Sequence, residues 1–172
     1  MNPFQAPTIP LARLNEAMPT GLKPIESLHE RLGDESFALA WTRISAFSRF
    51  ATSVDDLVEW IDNAPEDTRE GYRTRFRLLL ASLARVEKCY AYRRRSGPRD
   101  SGFVLDAASA PKLGPALTED DEADILIPGR RLALLGHDDF GCTLVYQQLA
   151  DRQWLEQLAQ EAGLYSVRPP ET

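Results

Sequence analysis

Arg131–Val167 reads RLALLGHDDFGCTLVYQQLADRQWLEQLAQEAGLYSV, and the punctuation of this stretch decides the fold class. Arg131–Gly136 and Cys142–Gln148 are short runs rich in strand formers. Between them sits His137-Asp138-Asp139-Phe140, bracketed by Gly136 and Gly141. Short loops flanked by glycine signal a hairpin, because glycine reaches the positive φ that such loops need. Setting Leu135 opposite Cys142 puts Ala133 across from Leu144 and Arg131 across from Tyr146. Leu132, Leu134, Thr143 and Val145 then share the other face. Both faces are largely apolar, which places the hairpin centrally in a sheet covered on both sides.

Downstream, Asp151 offers an N-cap whose carboxylate can accept an orphan backbone N–H. Trp154, Leu155, Leu158, Ala159 and Ala162 recur at helical spacing and form one stripe. Gly163 stands where a helix ends in the left-handed conformation, with Leu164 as the apolar contact of a Schellman ending. Tyr165-Ser166-Val167 adds a last short strand before Pro169-Pro170 stops pairing.

Upstream, Pro128-Gly129 turns the chain out of a strand at Ile125–Ile127, and a second strand falls at Phe103–Ala107. Gly114-Pro115 is a breaker pair inside a loop. Tyr72, Phe76, Leu79, Leu80, Leu83, Val86 and Tyr90 keep one helical face, predicting the longest helix near 65–95, ended by Ser96-Gly97-Pro98. Ser53-Val54-Asp55-Asp56 resembles a capping box that opens a short helix carrying Val54, Leu57, Val58 and Ile61. Phe37, Ala40, Trp41, Ile44 and Phe47 match a helical stripe running to about Phe50; a strand at its start, through Phe37, Leu39 and Trp41, is the alternative. Pro24 begins a helix through Leu32. Pro3, Pro7, Pro10 and Pro19 make residues 1–20 an extended N-terminal arm, docked by Leu11, Leu14 and Met18.

The layout is α+β: a helical half of about four helices over 21–97, then a ββα-containing part over 98–168. The latter holds a small antiparallel C-terminal sheet and a final helix. Residues 21–172 form a single globular domain.

Composition narrows the classes. The chain has 172 residues, 43% of them hydrophobic, as in an ordinary globular protein. No apolar run approaches membrane-spanning length, and the first residues lack the basic and apolar regions of a secretory signal, so the expectation is a cytoplasmic protein without a membrane partner. Cys89 and Cys142 are far apart and read as two free thiols. The net charge of −6 is uneven: residues 69–99 hold ten of the twenty basic residues and carry +8, leaving −14 for the remainder.

Three groups of residues could carry function. His137, Asp138, Asp139 and Cys142 bring a base, carboxylates and a thiol into one hairpin, the materials of a Cys–His nucleophile or of metal ligation. The plainer reading is a polar hairpin tip, with Cys142 a small apolar strand residue. Arg93, Arg94, Arg95 and Arg99 could track a phosphate backbone, with Tyr90 and Tyr92 for stacking; the plainer reading is a solvated face paired with acids elsewhere. Glu119, Asp120, Asp121, Glu122 and Asp124 could dock a basic partner; the plainer reading is a solvated loop. His29 reads as a solvated helix residue. No P-loop, dinucleotide glycine pattern, paired CxxC, HExxH or GxSxG is present.

These observations favour a non-enzymatic module that binds and masks another protein, of the immunity-inhibitor or secretion-chaperone kind, with no cofactor or metal. The docking residues are expected at Glu119–Asp124, against a partner with a basic surface. A nucleic-acid-associated regulator using residues 69–99 is the second reading. A small Cys/His hydrolase or metal enzyme using residues 137–142 is the third.

Overall fold

A computed structural model describes residues 8–32, 34, 39–94 and 101–169. In chain order it holds β1 (Ile9–Pro10), α1 (Leu11–Ala17), α2 (Leu28–Leu32), β2 (Ala40–Ser45), α3 (Val54–Leu57), α4 (Glu66–Val86), β3 (Tyr90–Arg93), β4 (Ser101–Val104), α5 (Gly114–Thr118), β5 (Ala123–Ile127), β6 (Leu132–Gly136), β7 (Gly141–Tyr146), α6 (Leu149–Glu161) and β8 (Tyr165–Val167). The strands form one antiparallel sheet of eight, ordered β1-β4-β3-β5-β6-β7-β2-β8.

This corrects the expected layout. The sheet is not a small C-terminal one, and helices do not precede strands: β1, β2 and β3 all come from the stretch read as helical or as an arm. Where a helix was expected through Phe50, Ala40–Ser45 is a strand between β7 and β8. Thr42 and Ile44 are buried on that strand, and β-branched side chains pack well on a pleated surface. The long helix stops at Val86, and Glu87 is already extended. Tyr90, assigned to its stripe, instead pairs with Val104 on one side and Leu126 on the other. Gly114-Pro115 opens α5 rather than breaking structure, since a missing N–H costs nothing in a first helical turn.

The hairpin lies at the centre of the sheet, but its register is one residue from expectation. Leu135 faces Thr143, Ala133 faces Val145 and Leu134 faces Leu144. A one-residue slip exchanges faces. Leu132, Leu134, Cys142 and Leu144 therefore lie against α4 and α6, in a core with Phe76, Leu79, Leu80, Leu83, Leu155 and Ala159. Ala133, Leu135 and Val145 lie on the opposite face, beneath Leu14, Met18, Leu22, Ile25 and Leu28 of the N-terminal segment. The molecule is thus layered helix, sheet, helix. The described part of the stretch read as an arm supplies β1, α1 and two buried anchors, Leu14 and Met18.

The hairpin glycines act through space rather than through φ. The positive φ of the loop belongs to Phe140, at 51°. Gly136 is needed because a side chain there would strike the backbone of Ala123 and Leu117. The end of α6 follows expectation: Gly163 has φ 82°, its N–H donates to Gln160 O at 2.9 Å, and Leu164 N–H donates to Ala159 O at 2.9 Å. The start of α6 does not. Its N-cap is Gln148, and Asp151 lies inside the first turn, where its buried carboxylate accepts from Arg131 at 2.6 and 3.1 Å.

Candidate functional site: an aromatic furrow beside the β2 exit

Arg73 donates two hydrogen bonds from Nε and Nη2 to Glu119, at 3.0 and 2.9 Å. Arg94 pairs with Asp121, and Arg93 lies 3.7 Å from Glu122. Asp124 is 1% exposed; its Oδ1 accepts from the Gly136 N–H at 3.0 Å and lies 2.9 Å from His29 Nε2 and 3.1 Å from Arg94 Nε. Asp120 is exposed. The acidic and basic stretches therefore meet and neutralise one another along one end of the sheet. Arg95 and Arg99 lie outside the described residues.

The hairpin groups are separated by the sheet itself. Cys142 is fully buried on the α4 side, where desolvation pushes its thiol up to about 12. His137 hydrogen-bonds Thr143 Oγ at 2.8 Å, and Thr143 and Cys142 point to opposite faces, so the base is not beside the thiol. Asp139 pairs with Arg43 of β2. His29 is not a solvated helix residue: it bonds Asp124 and sets its ring edge against His137, centroids 5.7 Å apart. Among the described residues no group of three or more His, Cys, Asp or Glu side chains could hold a metal ion.

Four surface concavities open on residues 43–54, the segment that leaves β2. The local chemistry explains why this segment is irregular. Ser45 Oγ accepts from the Phe47 N–H at 3.0 Å, and Ala46 N–H donates across to Phe140 O at 3.0 Å, which ends the strand. Ser53 caps α3 by accepting from the Asp56 N–H at 3.2 Å. Asp56 reaches back to the Thr52 N–H at 2.9 Å, an N–H···O bond that holds its carboxyl below the usual range. The helix then widens into a π turn at Val58–Asp62, closed by Asn63 N–H to Val58 O at 2.9 Å. Such turns are rare and concentrate at functional sites.

The π turn carries Trp60 into an aromatic row. Its ring centroid is 5.1 Å from that of Phe47, which is 5.1 Å from Tyr72, which is 5.3 Å from Phe140. The Arg49 guanidinium lies over Trp60, 4.5 Å from the ring centre. Phe47, Arg49, Trp60 and Tyr72, with Glu59 and Tyr165, line a furrow of about 450 Å³, while Phe140, against Tyr72, is buried. It adjoins a cavity of about 950 Å³ between α6 and β8, where Gln153, Gln157 and Gln160 meet Ser166. Ser48 and Tyr165 border both.

The sequence carries one signal for this site, a run of acids. Residues 54–68 contain six acids and no base. Glu66 is taken by Arg69 and Arg73, and Asp56 by Thr52. Asp55, Glu59, Asp62 and Asp67 are exposed, and their carboxylates make no hydrogen bond or ion pair among the described residues. The aromatic members could not be found from periodicity, because Phe47, Trp60, Tyr72 and Tyr165 come from four separate elements.

Compared with known proteins, the chain matches no family model, no curated protein and no solved structure. No described helix is long and apolar enough to cross a membrane.

Proposed function

We propose that this protein is a binding module that engages and masks another protein, in the manner of an immunity-type inhibitor or a secretion chaperone. The furrow at Trp60 is where it grips the partner. The observation that carries this reading is the set of half-buried aromatic side chains, Phe47, Trp60 and Tyr72, gathered with the exposed Arg49 round a concave surface. Trp, Tyr and Arg are the residues that dominate binding energy at protein interfaces, above all when they sit in pockets rimmed by polar groups. Glu59, Asn63 and Ser48 supply that rim. The docking surface thus moves from Glu119–Asp124, whose carboxylates mostly hold arginines of the same chain, to a surface whose groups are not so occupied.

The test is site-specific photocrosslinking in the native host, with a photoreactive residue at exposed Ser48 and, as a control, at exposed Leu78. One discrete adduct to another protein is expected from position 48 and not from 78. It should vanish on adding Trp60→Ala, a change that should cost about 1–2 kcal/mol and leave the chain folded, as circular dichroism checks. An adduct that survives Trp60→Ala, or a nucleic-acid adduct in its place, overturns the assignment of the furrow.

A further inference from the structure

We propose that the outward face of α4 is the interface between two copies of this chain, packed antiparallel about a two-fold axis level with Phe76. The core side of the helix defines this face. Phe76, Leu79, Leu80 and Leu83 are buried against the sheet. At about 3.6 residues per turn, the residues directly opposite them are Asp67, Gly71, Thr74, Leu78, Ala81 and Arg85. Asp67, Thr74, Leu78 and Arg85 are exposed.

These residues are placed evenly about Phe76. Asp67 and Arg85 stand nine residues before and after it, Gly71 and Ala81 five, and Thr74 and Leu78 two. A two-fold contact between identical surfaces requires such pairing, because residue i meets residue j wherever j meets i. Antiparallel packing sets Asp67 of each copy against Arg85 of the other, at the two ends of a contact about 27 Å long. Neither side chain makes a hydrogen bond or ion pair among the described residues. The charges beside them are already taken: Glu66 by Arg69 and Arg73, Glu70 by Arg77, and Arg73 also by Glu119. Arg75 is turned aside and donates to Ala46 O at 3.3 Å. A parallel pair would set Asp67 on Asp67 and Arg85 on Arg85, so the free charges select the antiparallel one.

The middle of the face suits a close approach. A side chain added at Gly71 would meet nothing within 4 Å, so no contact inside the chain calls for glycine there, and glycine weakens a helix interior. Opposite Ala81 of a second copy, it lets the two helix backbones come near. Leu78 is 53% exposed. One exposed leucine needs no explanation by itself. Here it lies beside the axis, where the two-fold covers it with Thr74 and Leu78 of the other copy. A single helix pair is at the low end of interface size, so the dimer is weak and reversible, and its charges fix orientation more than strength.

Sedimentation equilibrium of the full chain, from about 1 to about 500 µM at about 50 mM salt, should show a reversible monomer–dimer equilibrium. Asp67→Arg or Arg85→Asp alone should weaken it at least about tenfold, since like charges then meet at both ends. The two changes move net charge in opposite directions, so a shared loss is not a net-charge effect. Both changes in one chain should restore the dimer, and so should mixing the two single variants. A photoreactive residue at position 78 should give an adduct of twice the chain's mass, joined near Thr74. Asp67 and Arg85 are both exposed, and unchanged circular dichroism shows that the variants fold. A chain that stays monomeric throughout overturns the proposal, as does a dimer that ignores both reversals or that neither the double change nor the mixture restores.

Discussion

At the scale of single residues, His137 matters most for how stability responds to pH. Burial pushes His137 down to about 4, helped by the nearby charges of Arg43, His29 and Arg94 and opposed by Asp121. In the unfolded chain the ring titrates near its ordinary value of about 6.5. Between these values the unfolded chain binds a proton that the folded chain refuses. Stability is therefore full above about pH 6.5 and declines as pH falls towards 4, by on the order of 2 kcal/mol. Urea midpoints across this range should show the decline in the native chain and a flatter profile in His137→Gln. An equally steep profile in the variant would place the proton uptake elsewhere. Gly163 makes a simpler prediction. With φ at 82° and only ordinary contact to the Arg75 side chain, Gly163→Ala should cost about 1 kcal/mol, all of it conformational. That position was legible from sequence because a helix stripe ended there. Gly136 was legible as a glycine requirement but not for its reason, since the backbones of Ala123 and Leu117 that crowd it are distant in the chain.

At the scale of elements, stripes located helices well and failed where a strand shares their spacing. Ala40, Trp41, Ile44 and Phe47 fit a helical face, yet the first three serve a strand because β7 and β8 present matching edges on either side. No local pattern carries that information; it is a property of the assembled sheet. Tyr90 failed similarly, four residues after α4 ends, where the same spacing continued by coincidence. The α6 stripe was correct, but its weights were not legible. Leu155 is fully buried, whereas Trp154 is half-buried with the Arg130 guanidinium 4.5 Å over its ring. Leu155→Ala should therefore cost roughly 3 kcal/mol or more, and Trp154→Ala less, about 1–2 kcal/mol. Chemical denaturation of the two variants side by side checks the order; the reverse order would mean that α6 is docked through its indole.

At the scale of the molecule, the two opposite charge blocks visible in the sequence turned out to be partners. Glu119, Asp121 and Glu122 hold Arg73, Arg94 and Arg93 across elements far apart in the chain. Reversing the three acids to lysine should set like charges together and lower stability, by roughly 1–3 kcal/mol after allowance for solvent screening. Asp120→Lys should have little effect. A double-mutant cycle over Arg73→Gln and Glu119→Gln measures how much of the loss belongs to that pair. A triple reversal with no change in midpoint would show that the pairs are incidental. Charge asymmetry was thus legible, but its purpose depended on a fold that the sequence did not disclose, and the uncompensated acids of residues 54–68 were hidden by the louder blocks.

The place of β2 has a consequence for synthesis. Residues 40–45 emerge from the ribosome early, yet both of their neighbours in the sheet, residues 141–146 and 165–167, are made late. Until then Thr42 and Ile44 have no ladder to join, and the nascent chain carries an unpaired strand whose edges are open to other chains. Holding it apart during translation is a task for the cell's chaperones, and slow elongation should raise the fraction of this protein lost to aggregation rather than lower it.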